Sequence, residues 1–216
     1  MPTTEIAVLT LKADADINDP NNYAAAIANE SFNTLWAVDG VQQVHFGTAL
    51  ENPKSFQLMV TWDSIAKHEA CRASAAFAPF VESQRRIMDG GLVSMMHVAF
   101  QPAAALAKIL AAPITEIATA YFDGEPPADY IETVVELDKA LRDTEGYLGY
   151  AVGISHETVE KEGVRGKAAV LVVGWQSVEA HMALRHQPSF METVQTLRSS
   201  SKVNGMVHVR FRVPGA

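Results

Sequence analysis

The amino-acid sequence repeats itself, and this repeat constrains the fold more than any other feature. Short blocks at the start, middle and end of the first hundred residues recur in the same order after a spacing of 111 to 113 residues. The middle block keeps six identities, which are Trp, Ser, His, Ala, Arg and Phe. An ordered series of this kind predicts two tandem copies of one structural unit. The matching blocks are residues 4–7 with 115–118, 62–77 with 175–190, and 95–100 with 206–211.

Each copy predicts the element order strand, helix, strand, strand, helix, strand. Apolar and β-branched runs indicate the strands, and alanine-rich amphipathic spacing indicates the helices. Ser64 and Ser177 stand where N-caps of the second helices belong, and those helices are expected to continue to Met88 and Leu197. In the first copy the other predicted elements are Thr4–Leu11, Tyr23–Trp36, Val41–Leu50 and Phe56–Trp62.

The expected domains are residues 1–101 and 114–216, joined by a linker, residues 102–113, whose alanines between two prolines predict a short helix. The second copy also carries an excursion, residues 155–167, which reads as a solvated hairpin. Such a unit leaves one apolar sheet face bare, and two bare faces can cover each other. The predicted fold class is α+β: two tandem ferredoxin-like βαββαβ repeats forming an intramolecular dimeric α+β barrel.

Composition excludes several classes of partner. The formal charge of −8 lacks the basic clusters that nucleic acid or anionic membranes require. Cys71 is the single cysteine, and no apolar run suits a signal peptide or membrane span. We expect a soluble cytoplasmic protein that is a monomer (a pseudo-dimer) or a weak homodimer, with no metal and no nucleotide cofactor, since neither a ligand cluster nor a Gly-rich phosphate loop is present.

With the repeat, the strand order and the motif Trp-x-Ser-x-x-x-His at residues 62–68 and 175–181, the chain resembles the dimeric α+β barrel superfamily, in particular tandem antibiotic-biosynthesis-monooxygenase-like domains. The resemblance covers nearly the whole chain. It implies cofactor-independent chemistry, because Leu184 and Val194 occupy the places of the Trp and the haem-ligating His in the haem-degrading branch. Phe190 and Leu184 similarly replace the catalytic His and Tyr of the plant cyclase branch.

The same resemblance implies an apolar barrel lining from the third strand of each copy. Trp62 and Trp175 end these strands and are candidates for substrate binding by stacking, or alternatively ordinary core anchors. A flat apolar or aromatic molecule would suit such a lining. The other expected lining residues are Phe56, Leu58, Val60, Ala169, Leu171 and Val173.

Three histidines are the candidate catalytic residues. His97 and His208 recur on the closing strands, where each is either a general base or a hydrogen-bonded core residue. His45 is unpaired, since the second copy has Ala151 there, so it could deprotonate a phenol or enol beside Gln43. The recurring His68 and His181 are expected to support the fold.

Three further candidates for substrate binding come from the second copy. Tyr150 lies beside the position matched to His45, and His186 is unpaired near the expected barrel mouth. Glu116, like Glu5 in the first copy, begins a first strand and would act as an acid or base if it points inward. Solvent-exposed positions are the alternative for both His186 and the glutamates.

The sequence therefore predicts a small-molecule enzyme of secondary, aromatic polyketide-like metabolism. Its expected chemistry is cofactor-independent monooxygenation in an apolar cavity by a histidine base, with dioxygen as the second substrate. One alternative is a cofactor-free cyclase, isomerase or decarboxylase acting on a similar substrate. Another is a non-catalytic ligand-binding protein of the stress type, and a third is a structural module whose barrel is filled by side chains.

Overall fold

The structure is a computed structural model that describes residues 1–215, together with all of their side chains except those of Arg185, Pro188 and Ser189. It forms two compact units. The first comprises Met1–His97 and Phe211–Ala216, and the second comprises Val98–Arg210. Within residues 1–215, none of the helices combines the length and the apolarity needed to cross a bilayer.

The first unit contains a four-stranded antiparallel sheet and three helices. The strand order is β2-β3-β1-β4. Asn22 caps the first helix by accepting from the Ala24 amide, and Ser64 caps the second by accepting from the Lys67 amide. The elements are β1 (Thr3–Thr10), α1 (Tyr23–Trp36), β2 (Val41–Thr48), β3 (Ser55–Trp62), α2 (Ile65–Ala73), α3 (Phe77–Arg85) and β4 (Ser94–Val98).

The second unit repeats this order and adds two features. Its sheet has the order β10-β5-β9-β6, which matches the first sheet strand for strand. The additions are a helix before the first strand and a two-stranded hairpin before β9. The elements are α4 (Ala103–Leu110), β5 (Ile114–Tyr121), α5 (Tyr130–Leu141), β6 (Tyr147–Ile154), β7 (Val159–Lys161), β8 (Val164–Gly166), β9 (Ala168–Trp175), α6 (Val178–Ala183), a 3-10 turn (Leu184–His186), α7 (Pro188–Ser199) and β10 (Val203–Val209).

Most of the predicted elements are confirmed, including α1, the helix α4 between the two prolines, the hairpin and both serine caps. The prediction of one long second helix in each copy is wrong. In the first unit the helix breaks at Ser74, whose backbone is extended. In the second unit it breaks before Pro188, because a proline disfavours helical backbone in the residue that precedes it.

The apolar face of each sheet packs against the helices of its own unit. In the first unit Phe56, Leu58 and Val60 of β3 share one buried cluster with Ala28 and Phe32 of α1. The expected orientation of the third strands is therefore corrected: these side chains, and Ala169 and Val173 in the second unit, lie on the helix side of their sheets. The physical reason is that two amphipathic helices must bury their apolar stripes against an equally apolar sheet face.

Gly153 in β6 offers a test of the packing in the second unit. Residues 101 and 152 exchange two backbone hydrogen bonds of 2.9 Å, which hold the segment 98–101 against β6. A Cβ atom on Gly153 would lie 2.5 Å from the carbonyl oxygen of Ala99 and 2.6 Å from Val98 Cγ1. No side chain fits there unless the segment moves.

We predict that Gly153→Ala lowers the free energy of unfolding by about 2–3 kcal/mol, because the displaced segment loses backbone hydrogen bonds and packing. Chemical denaturation measures this loss. The control is Gly205→Ala in β10, where a new Cβ has no neighbour within 4 Å, so the change should stay within about 0.5 kcal/mol. Equal effects of the two substitutions would contradict the packing described for residues 98–101.

Candidate functional site

A largely buried carboxylate, whose side chain is 12% exposed, lies at the centre of a polar cluster in the first unit. Glu5 of β1 accepts a hydrogen bond of 3.1 Å from the indole N–H of Trp62, which ends β3. His68 of α2 lies 3.4 Å from the same carboxylate oxygen through Nε2, and its ring stacks on the indole. Its Nδ1 lies 2.7 Å from Nε2 of His97 on β4. We call these four residues the first acid–base cluster.

The second unit contains the same arrangement, which we call the second acid–base cluster. Trp175 donates to Glu116 at 3.0 Å, and His181 Nε2 lies 3.6 Å from the same oxygen. His181 Nδ1 lies 2.8 Å from His208 Nε2. All four histidines of the two clusters are buried. The repetition shows that the fold itself places these groups together.

The environment of Glu5 changes its acidity. Burial raises the pKa of this carboxyl, and the effect exceeds the opposing influences of the Trp62 hydrogen bond and of electrostatic interactions with His97 and Arg72. A carboxylate whose pKa is raised is a stronger base than an ordinary glutamate. The group can therefore take a proton from a weakly acidic ligand.

A cavity of about 330 Å³ lies between the sheet and the helices of the first unit. Glu5 and His68 form part of its wall, and most of the remaining wall is apolar. Arg72 and Arg85 are exposed residues that also line it. The other lining residues are Ala7, Leu9, Phe32, Leu58, Phe77, Phe80, Val81, Gln84, Met88, Gly90, Gly91, Leu92 and Met95.

The second unit has a matching cavity of about 340 Å³. Its lining includes Glu116, Trp175 and Tyr130, and burial raises the pKa of Tyr130 to about 12. The two cavities share seven lining positions that carry the same residue type in both repeats, at spacings of 111 or 113 residues. These pairs are Glu5 and Glu116, Ala7 and Ala118, Leu58 and Leu171, Phe77 and Phe190, Val81 and Val194, Arg85 and Arg198, and Met95 and Met206.

The two cavities differ at one matched position on the third helix of each repeat. Gln84 lines the first cavity, and Leu197 occupies the corresponding place in the second, 113 residues later. Gln84 is 8% exposed, and neither of its amide atoms has a hydrogen-bond partner among the described residues. The first cavity thus contains a polar group that its own surroundings do not satisfy.

The structure brings six candidate residues predicted from sequence into the two clusters, and Glu5, at the centre of the first, is one of them. Trp62 and Trp175 are fully buried and bond the glutamates, and Trp175 also lines its cavity. His97 and His208 occupy the far ends of the two clusters, behind His68 and His181. Glu116 lines the second cavity. Their proposed catalytic and binding roles stay predictions.

His45 and Gln43 are not among the residues that line the first cavity. His45 pairs with Met59 across the sheet, whereas its neighbours Val44 and Phe46 belong to the cluster on the helix side. Alternation along a strand therefore places His45 on the opposite face. Its ring meets Phe211 edge-on, and among the described residues its Nδ1 has no hydrogen-bond partner. Its role as a base stays a prediction.

Tyr150 and His186 are not among the residues that line the second cavity. Tyr150 is half-buried and packs against the core of its unit, and burial raises the pKa of its hydroxyl. His186 is exposed at the end of the 3-10 turn. Substrate contact by either residue stays a prediction.

The sequence predicts that His68 and His181 support the fold, and it does not single out Gln84. The signal for the histidines was available, because Trp, His and Glu recur together in both copies. Gln84 gave a weaker signal, since a glutamine on a helix is usually exposed. Among the described residues, no group of three His, Cys, Asp or Glu side chains is arranged to hold a metal ion.

Comparison with solved structures shows the fold. An anthrone oxidase-like protein aligns with a TM-score of 0.66 at 14% identity, covering 100% of this chain and 94% of its own. A candidate monooxygenase from Fusobacterium nucleatum subsp. nucleatum aligns with a TM-score of 0.61 at 12% identity, covering 99% and 92%. One from Lactobacillus acidophilus has a TM-score of 0.56 at 12% identity, covering 100% and 97%.

These full-length similarities show that the chain shares the α+β fold of these solved structures, over both of its repeats. No protein-family model matches the chain. No curated protein matches it either. At identities of 12–14%, structural similarity shows a shared fold, and one fold can host many different activities.

His45 makes the stability of the protein sensitive to acid. Burial lowers its pKa to about 4, below the ordinary value of 6.5, because the charged ring loses its hydration. The unfolded chain therefore binds this proton more tightly than the folded chain does. Stability is lost as pH falls through the window from 6.5 to about 4.

We predict that wild type loses about 3 kcal/mol more free energy of unfolding than His45→Leu between pH 7 and pH 4, as the pKa difference requires. Urea denaturation at several pH values measures both profiles, and their difference isolates His45 from the other titrating groups. Parallel profiles over the whole range would show that His45 titrates normally in the folded protein.

Proposed function

We propose that the chain is a small-molecule enzyme that oxygenates an activated carbon in the cavity of its first repeat without a cofactor. The observation that carries this proposal is the buried carboxylate of Glu5 at the wall of an apolar cavity, backed by two histidines. A base of raised pKa beside an apolar space suits the removal of a proton from a weak carbon or phenol acid.

The cavity favours a flat, largely apolar substrate. Its volume of about 330 Å³ lies at the lower end of the range of small-molecule sites. Phe32, Phe77 and Phe80 among its lining residues offer aromatic surface to a ring system. An aromatic polyketide-like molecule, a phenol or enol with an activated methylene group, fits both the shape and the chemistry of this space.

Glu5 is the group we assign to proton removal. Trp62 donates to the carboxylate and so fixes its orientation, and the apolar wall excludes the water that would weaken the base. In the tautomer in which His68 carries its proton on Nδ1 and donates to His97, His68 Nε2 can accept the proton from Glu5. The two histidines then provide a short route for the proton away from the cavity.

Dioxygen is the second substrate in this proposal, and the atoms balance. Glu5 removes one proton from a CH2 group, and the resulting carbanion forms a C–O bond with dioxygen. The peroxide formed takes up that proton. Removal of the second C–H proton breaks the O–O bond, leaves a carbonyl group and releases hydroxide, which becomes water. The sum is CH2 plus O2 giving C=O plus H2O.

The structural similarities support this choice of chemistry. Two of the full-length neighbours are candidate monooxygenases, and a third is an anthrone oxidase-like protein. An anthrone contains a methylene group activated by a carbonyl across two aromatic rings, which is the type of carbon acid described above. Anthrone is therefore a suitable first probe of activity.

We place the chemistry in the first repeat because its cavity adds the buried amide of Gln84, whereas the second has Leu197 at that position. Both repeats hold an acid–base cluster, so a cluster alone does not select between them. Matched substitutions of Glu5 and Glu116 can therefore locate the reaction.

We predict that the wild-type protein consumes one dioxygen per anthrone and forms anthraquinone, and that Glu5→Gln lowers kcat by about 10²- to 10⁴-fold, the usual contribution of a general base. An oxygen electrode and the absorbance of the quinone measure this. Because the carboxylate must be deprotonated to act, wild-type kcat/KM should rise with pH through the raised pKa of Glu5, and Glu5→Gln should abolish that rise.

The matched control is Glu116→Gln, which should leave kcat unchanged. If Glu116→Gln lowers the rate and Glu5→Gln does not, the placement in the first repeat is wrong. Conversion of the substrate without oxygen uptake would favour the cyclase, isomerase or decarboxylase alternative. Binding without any conversion would favour a ligand-binding protein.

A further inference from the structure

We infer that Gln84 is a specificity residue, and that the first cavity selects ligands that carry an oxygen at the position reached by its amide. The inference rests on the proposed function for the choice of ligand class and adds the polar group that the site recognises. It concerns binding, so it can be tested without turnover.

Gln84 buries an amide that has no hydrogen-bond partner among the described residues. Buried polar groups in folded proteins are almost always hydrogen-bonded, and each exception calls for an explanation. Gln84 is 8% exposed, and neither its Oε1 nor its Nε2 has a partner among the described residues. An apolar side chain of similar volume would be less costly at this point.

Gln84 and Glu5 line the same cavity from different elements. Gln84 lies near the end of α3, and Glu5 lies on β1. An amide offers two N–H donors and one acceptor oxygen, whereas a carboxylate only accepts. A ligand between them can therefore place a carbonyl oxygen at Gln84 while an acidic C–H or O–H group faces Glu5.

The two repeats carry different residues at this position, although the neighbouring positions match. Phe77, Val81 and Arg85 line the first cavity, and their counterparts at a spacing of 113 residues line the second. Leu197 therefore shows that this fold accepts an apolar residue at the position of Gln84. The glutamine is not required by the architecture, which leaves recognition of a ligand as its function.

A ligand oxygen decides whether the amide is satisfied when the cavity is filled. Both amide atoms of Gln84 are buried and have no hydrogen-bond partner among the described residues. A ligand whose oxygen bonds the amide gains that hydrogen bond, whereas a pure hydrocarbon leaves the amide buried and unsatisfied.

The experiment compares two probes with the same tricyclic carbon frame, anthrone and 9,10-dihydroanthracene, which differ in one carbonyl oxygen. Equilibrium dialysis with oxygen excluded gives the Kd of each without turnover. For wild type we expect anthrone to bind about 10- to 100-fold more tightly, as expected when a buried amide is left without a partner.

Two substitutions remove the amide. Gln84→Met keeps the length of the side chain, and Gln84→Leu copies the second repeat. Both should lower the preference for anthrone at least about tenfold, mainly by weakening anthrone binding. The matched control is Gln42→Met, the same change at an exposed glutamine of the same repeat that bonds Asp63, and it should leave both Kd values unchanged.

Thermal unfolding separates recognition from a structural role. Because the Gln84 amide has no hydrogen-bond partner in the part of the chain that the structure describes, both substitutions should leave the Tm unchanged or raise it by about 2–4 °C. An unchanged preference for anthrone in Gln84→Met, a wild-type preference near one, or a clear fall in Tm would each overturn the inference. Selective binding without oxygen uptake would uphold it while contradicting the proposed reaction.

Discussion

Each repeat depends on a buried glutamate that bonds a tryptophan and approaches a histidine. A charged group inside a protein is costly unless other groups compensate for its lost hydration. Glu5 obtains that compensation from Trp62 at the end of β3 and from His68 in α2, and His68 extends the contact to His97 on β4. One cluster thereby links three strands and a helix, and its partial compensation leaves Glu5 with a raised pKa. The interaction that helps to hold the fold also produces its most reactive group.

The architecture could be predicted from the sequence because two copies of the pattern reinforce each other. The recurrence of residues 62–77 at 175–190 indicated the strand-to-helix corner, and Ser64 and Ser177 indicated where the helices begin. The break at Ser74 could not be foreseen, since no proline or glycine marks it. The lining of the third strands was assigned to the wrong face, because alternation identifies which residues share a face but not what covers that face.

The candidate site was predicted only in part. The sequence indicates His97, His208, the two tryptophans, Glu5 and Glu116 as candidates. Their assembly into clusters depends on contacts between residues far apart in sequence. Because these residues recur in both copies, the sequence favours a structural role for them. In the structure they can both support the fold and take part in chemistry. Gln84 could not be distinguished from a solvated helix residue until its burial and the cavity beside it were known.

The proposed function depends most on Glu5, which is proposed to act as a base of raised pKa at the wall of the first cavity. A pH titration of its side-chain carboxyl by ¹³C NMR on glutamate-labelled protein, with Glu5→Gln to assign the resonance, tests this role. We expect a midpoint above the ordinary glutamate value of 4.5 and a shifted resonance when anthrone is added without oxygen. An ordinary midpoint, together with a resonance that does not respond to anthrone, would show that Glu5 is not this base.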